Sequence, residues 1–242
     1  MQMGKLDGKV AIVTGGGTGI GKGIARAFAT EGARVIIASR SEQTLNEVAE
    51  ELGDQVLAVP TDLKVEAQVT ALFERTIAEM GQLDILVNNS GVFEGAPIEE
   101  LSLETWQHVM DVNLTGVFLC TREAMKIMKQ VDGGRIINIG SISAQIPRMN
   151  SAPYSTTKHA LVGLTKSTAL EGRDFGVVAS ILHPGNVLTE LRDNSTLAQN
   201  QEPMMSTDDI AMAALTMAAL PLNVNMLESI VLPVKQKYIG RG

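Results

Sequence analysis

The chain carries one cysteine, three histidines and no basic block among its 242 residues, and each scarcity excludes a class of function. A lone thiol, Cys120, cannot close an internal disulfide, and its place in the run Val117-Phe118-Leu119-Cys120 reads as a small core residue of a buried helix. The three histidines, His108, His159 and His183, show no ligand spacing, so no metal centre is expected, and His183 reads as structural. A net charge of −7, with only Lys235, Lys237 and Arg241 clustered near the C-terminus, argues against nucleic acid as a partner. No window reaches about 18 apolar residues, and no charged segment with an apolar stretch opens the chain, so a cytoplasmic protein without membrane contact is expected.

What is present is apolar material in a regular order. Hydrophobic residues make up 45% of the chain and charged residues 19%, enough for a sheet covered on both faces. Strand signals at 10–13, 34–38, 56–59, 84–87, 135–139, 177–182 and 229–232 alternate with helical spacing that begins at Ile20, Ile24 and Phe28 and recurs near 42–52, 65–80, 103–129 and 153–173. The strands lack apolar–polar alternation, as expected of parallel strands buried on both faces. The reading is one α/β domain over residues 1–242: a doubly wound, seven-stranded parallel sheet with helices on both faces. The stretch 186–206 is long for a connection and is expected to be a functional or mobile substrate loop.

Chemistry concentrates at strand ends. Between the first strand and first helix lies Thr14-Gly15-Gly16-Gly17-Thr18-Gly19-Ile20-Gly21, where backbone N–H groups and a helix N-terminus can hold a pyrophosphate. It departs from G-x-G-x-x-G because Ile20 takes the last glycine position, leaving Gly15-x-x-x-Gly19-x-Gly21. The second strand ends in Ser39-Arg40 rather than a carboxylate. Arginine offers a donor fork to a ribose 2′-phosphate, which favours NADP(H) while leaving NAD(H) possible; Arg40 as a solvated loop charge is the plain alternative. Asp62-Leu63 follows the third strand, with Asp62 either contacting adenine or capping the next helix. Asn88-Asn89-Ser90-Gly91 follows the fourth.

Tyr154 and Lys158 stand four residues apart, so on a helix they share a face. A phenol titrates near pH 10, too high for proton exchange at neutral pH, and a neighbouring cation would lower that value. Ser141, at the end of the fifth strand, can donate a hydrogen bond to a substrate oxygen and polarise a carbonyl. With the Thr14–Gly21 turn, Asn88-Asn89-Ser90-Gly91, Asn113, Ser141, Tyr154-x-x-x-Lys158 and Pro184-Gly185-Asn186-Val187-Leu188-Thr189, the sequence resembles the classical short-chain dehydrogenase/reductase family over nearly its whole length.

The resemblance implies a Rossmann-like fold, hydride exchange between a nicotinamide and a carbonyl or alcohol, and a homotetramer or homodimer. By the same match Tyr154 is the general acid/base, Ser141 orients the substrate oxygen, Lys158 also binds the nicotinamide ribose, and Asn113 holds a proton-relaying water. Pro184, Gly185, Val187 and Thr189 would position the carboxamide. Two departures stand out. Ser90 replaces the usual alanine, and the ending Pro233-Val234-Lys235-Gln236-Lys237-Tyr238-Ile239-Gly240-Arg241-Gly242, with the preceding Asn223–Glu228, is similar to a branch containing short-chain 3-hydroxy acid dehydrogenases.

For substrate, Leu188, Leu191, Leu197, Met204 and Met205 could fold over a small or medium apolar carbonyl compound, and helix packing explains them about as well. Arg148 and Arg192 are candidates for binding a carboxylate. The expected function is NADP-dependent reduction of a ketone or aldehyde, reversible as alcohol oxidation. The alternatives are a 3-hydroxy acid dehydrogenase, a 3-oxoacyl-thioester reductase, or a dinucleotide-binding regulator, the last opposed by the intact Ser141, Tyr154 and Lys158.

Overall fold

The computed structural model describes residues 4–189 and 203–238. Seven strands form one parallel sheet: β1 (Val10–Thr14), β2 (Arg34–Ser39), β3 (Val56–Pro60), β4 (Ile85–Asn88), β5 (Gly134–Ile139), β6 (Val177–Pro184) and β7 (Glu228–Val231). Their order is β3-β2-β1-β4-β5-β6-β7, so the chain reverses direction across the sheet between β1 and β4. At such a switch point the loops at the carboxyl ends of the strands diverge and leave a crevice for a ligand.

Burial on both faces explains the unbroken apolar runs. In β1, Ala11 and Val13 pack on one side with Ile24 and Phe28 of α1 (Gly19–Thr30), while Val10 and Ile12 pack on the other with Val69 and Leu72 of α3 (Glu66–Met80). The first layer also takes Leu45 and Val48 of α2 (Glu42–Leu52). The second takes Leu119, Cys120 and Met128 of α5 (Gly116–Met128), and beside it Leu161 of α6 (Ala152–Gly172) meets Val117 and Ile181. Cys120 is fully buried and its thiol is pushed up to about 12 by burial, with the Glu123 carboxylate adding to the rise. That is an inert core residue.

Two differences from the sequence reading concern helices. The long stretch expected over 103–129 is α4 (Leu103–Met110) running through a π-helical turn, Asp111–Thr115, into α5. Hydrophobic spacing cannot reveal such a turn, which inserts one residue without breaking the apolar stripe. A helix absent from that reading, α7 (Thr207–Ala219), packs on α1. Its signal was present: Ser206 and Asp209 form a capping box ahead of a helix with Ile210, Ala211 and Ala214 buried. Residues 190–202, most of the expected substrate loop with Leu191, Arg192 and Leu197, lie outside the described residues, as do Ile239–Gly242. No helix of the described residues is long and apolar enough to cross a membrane.

Candidate active site

The glycine turn after β1 is shaped by close backbone approach. Gly15 and Gly19 take φ of +65° and +51°, which side chains disfavour. A Cβ on Gly21 would stand 2.1 Å from the Gly15 carbonyl oxygen and 2.5 Å from the Asn89 amide nitrogen. Thr18 precedes α1 in an extended conformation without a side-chain capping bond, and no acid occupies the first turn. The N-terminal amides of a helix and its positive dipole end suit an anion such as a pyrophosphate.

Asn89 supports this turn from behind. Its side-chain amide donates to the carbonyls of Thr14 and Gly15 at 3.1 and 3.3 Å, and the backbone N–H groups of Asn89 and Ser90 both donate to the Thr14 hydroxyl. Asn89 therefore shapes the turn through its side chain. Half-buried Ser39 and exposed Arg40 follow at the end of β2, and among the described residues no ion pair includes Arg40. Asp62 caps a short turn, accepting from Lys64 N–H at 3.0 Å, whereas the N-cap of α3 is Val65. The helix-capping alternative for Asp62 is thus replaced by a local turn. Leu63 is buried in the core, and Gly91 is exposed near Asn113.

Ser141, Tyr154 and Lys158 come together where β5 ends beside the first turns of α6. Ser141 stands ahead of a 3₁₀ turn (Ile142–Ala144) and its Oγ accepts from Ser143 N–H at 3.1 Å. The Ser141 side chain faces Tyr154 and acts on its phenol. Phe93 packs edge-on against the Tyr154 ring, centroids 5.0 Å apart. Lys158 is buried, donates to the Ile139 carbonyl at 2.8 Å, and places its Nζ 5.5 Å from the Tyr154 ring centroid.

The electrostatics correct the expectation that Lys158 alone lowers the phenol. Burial pushes Tyr154 upward, and the Ser141 side chain and the Arg148 guanidinium pull it back. Lys158 itself is lowered to about 8 by burial. Desolvation outweighs the pairing here because Nζ lies over the ring and is tied to Ile139.

Asn113 sits inside the π turn, fully buried. Its Oδ1 accepts from Val92 N–H at 2.8 Å, and its Nδ2 donates to the Val92 carbonyl at 2.9 Å and reaches Thr157 Oγ1 at 3.5 Å. The amide thus fastens the loop after Gly91 to α6. Pro184 and Gly185 close β6, where Gly185 N–H donates to the Val231 carbonyl. The Asn186 N–H donates to Gln236 Oε1 at 2.9 Å, and Arg148 donates to Asn186 Oδ1 at 2.7 Å. Val187 bridges to Met205, and Thr189 is half-buried at the end of the described segment.

Two groups of supporting residues escaped the sequence reading. Asn138 accepts from Asn88 Nδ2 at 2.9 Å and donates to Thr165 at 2.8 Å, while Asn88 also donates to Thr121, so buried polar side chains link β4, β5, α5 and α6 behind the site. An asparagine within the apolar run Ile136-Ile137-Asn138-Ile139 was the available signal. Gln236 and Tyr238 of the tail form the second group, with the Tyr238 hydroxyl donating to Gln145. Their only trace was the unusual ending.

Comparison with known proteins agrees with this geometry. A family model described as short chain dehydrogenase matches residues 9–200. The 3-alpha-(or 20-beta)-hydroxysteroid dehydrogenase of Mycobacterium tuberculosis is 40% identical over 224 residues, covering 93% of this chain and 82% of that protein. The 3-oxoacyl-[acyl-carrier-protein] reductase of Synechocystis is 35% identical over 204 residues, covering 83% and 81%. Among solved structures, 3-ketoacyl-(acyl-carrier-protein) reductase from Brucella melitensis, complexed with NADH, superposes with a TM-score of 0.88 at 33% identity, covering 95% of this chain and 98% of that one.

Proposed function

Because the chain belongs to the short-chain dehydrogenase family, whose members are nicotinamide-dependent oxidoreductases acting on CH–OH groups, we propose that it is an NADP-dependent carbonyl reductase. Its substrate would be a ketone or aldehyde, and the reaction reverses as oxidation of a secondary alcohol. The observation that carries this reading is the convergence of the Ser141 side chain and Tyr154 beside buried Lys158. A carbonyl oxygen at that point accepts from both hydroxyls, Ser141 orienting it and Tyr154 giving the proton as general acid. When bound, the cofactor supplies or accepts the hydride at the nicotinamide.

The residues present fit that cofactor. The turn at Gly15, Thr18, Gly19 and Ile20 would receive the pyrophosphate, with Asn89 and Gly91 supporting and flanking it. Asp62 and Leu63 would border the adenine. Lys158 keeps donors beyond its bond to Ile139 for the nicotinamide ribose, and Pro184, Gly185, Val187 and Thr189 would hold the carboxamide. Asn113 has its amide engaged by Val92, so a relaying water would meet its main chain in the π turn. Preference for NADP(H) over NAD(H) is supported by Ser39 and Arg40: no carboxylate repels a 2′-phosphate, and the exposed guanidinium offers it a fork. A cytoplasmic location and a homotetramer or homodimer belong to the same reading.

One observation favours a narrower substrate. Arg148 is held by Asn186 and acts on Tyr154 through its charge, so a 3-hydroxy acid or a 3-oxoacyl thioester would find a cation beside the reacting oxygen. The test is a panel of simple ketones, aldehydes, 3-oxoacyl thioesters and 3-hydroxy acids, followed by NADPH or NADH absorbance with the wild type and Tyr154→Phe. Turnover by the wild type, faster with the phosphorylated cofactor and lost in the variant, supports the proposal. Equal turnover by Tyr154→Phe overturns it.

A further inference from the structure

We propose that His183, oriented by Glu228, is a positioning residue for Ser141. This rests on the reading of Ser141 as the substrate-orienting hydroxyl. His183 lies near the end of β6, with no exposure to solvent, directly behind the turn that carries Ser141. Its Nδ1 stands 3.2 Å from Ser141 N and 2.9 Å from Ser141 O. The fold makes room for this ring: a Cβ on Gly140 would meet Nδ1 at 2.5 Å and Cε1 at 2.8 Å. Glycine at 140 is therefore what lets an imidazole touch the backbone of the next residue.

The far side of the ring faces a carboxylate. Nε2 lies 3.4 Å from Glu228 Oε1 at the start of β7 and has no closer hydrogen-bond partner. A neutral ring carries one N–H: on Nε2 it points toward Glu228 while Nδ1 accepts from Ser141 N–H, and on Nδ1 it donates to the Ser141 carbonyl. Either tautomer ties the ring to the Ser141 backbone. Glu228 is itself shared with Lys166 of α6, at 3.4 Å, and with Gln145, at 3.5 Å. The polar chain thus runs from the sheet edge to the catalytic turn.

The functional consequence follows from what Ser141 does. Its Oγ accepts from Ser143 N–H and its side chain bears on the Tyr154 phenol, so a small rotation of the Ser141 backbone would displace the hydroxyl that the proposed reaction needs. Misplacing a reacting group by about 1 Å can cost ~100-fold in rate. His183 resists that rotation through its contacts with Ser141 N and O.

Three variants separate positioning from general support. In His183→Asn the side-chain amide reaches the place of Nδ1; in His183→Gln it reaches the place of Nε2; in His183→Leu neither nitrogen is replaced. Each is assayed as the full chain with NADPH and the panel compound that the wild type reduces fastest, alongside NADPH affinity and Ser141→Ala as a reference. The expected result is kcat lowered ~10- to 100-fold in the Leu and Gln variants, recovery of most of that loss in the Asn variant, and unchanged NADPH affinity throughout. Wild-type kcat in His183→Leu overturns the proposal, as does an Asn variant as slow as the Leu one, or NADPH affinity falling in step with kcat. If Ser141→Ala is itself unimpaired, the reading of Ser141 fails first.

Discussion

The glycine turn between β1 and α1 and the polar cluster between β5 and α6 occupy the same edge of the sheet, yet they are built from opposite materials. The first is almost all backbone: glycines admit close approach, and the bonds from Asn89 and Thr14 fix the path. The second buries charged and hydroxylated side chains, at a desolvation cost visible in the lowered Lys158 and the raised Tyr154. On the proposed function, the first region binds and is limited by sterics, and the second reacts and is limited by electrostatics.

Substitutions should therefore fail in different currencies. The largest effect belongs to Tyr154→Phe, which should lower kcat by at least about two orders of magnitude while NADPH affinity holds, because acid/base groups contribute ~10²–10⁴-fold. Cofactor titration by fluorescence beside turnover checks this. Gly21→Ala should show the converse. The overlap with Gly15 and Asn89 costs roughly 1–3 kcal/mol, or about tenfold or more in NADPH affinity, with kcat at saturating cofactor little changed. A thermal melt shows whether the fold survives, and a loss confined to kcat would erase the contrast between the two regions.

An effect of similar size is expected within the binding region. Ser39→Asp combined with Arg40→Ala should move preference from NADPH toward NADH by one to two orders of magnitude, since a charged hydrogen bond contributes about 1.5–3 kcal/mol. A wild type that already favours NADH would remove the role given to Arg40.

A further effect is on stability and comes from Lys158. Its value in the fold is about 8 against an ordinary 10.5, so between those pH values the unfolded chain binds the proton and the folded chain does not. Stability then rises with pH across that window. Denaturant unfolding of the cofactor-free protein should show the wild type gaining on Lys158→Met as pH increases from 8 to 10.5, by a total on the order of 3 kcal/mol. Parallel curves would mean that burial of Lys158 carries no such cost.

The two regions were also unequally legible in the sequence. Apolar runs without alternation foretold parallel strands because a strand buried on both faces has no polar side, and every strand lies within two residues of its expected position. Glycines at a strand–helix junction announced a phosphate turn because few other residues tolerate its backbone. Tyr154 and Lys158 were legible because helical spacing alone puts them on one face. Asn138, Thr165 and Gln236 were not, since their partners lie 27 to 50 residues away and no local pattern encodes which polar groups meet.

Sequence by itself determined the seven strands, most of the helices between them, the family, and the residue types at each strand end, because these follow from local periodicity and from chemistry that tolerates few substitutes. Tertiary structure decided what those residues do to one another. It showed Asn89 shaping the glycine turn, a π turn around Asn113, Lys158 held well below the usual ammonium range by burial, and His183 set against the Ser141 backbone through the gap at Gly140. Desolvation and long-range hydrogen bonding depend on what surrounds a group in three dimensions, and chain position does not record those surroundings.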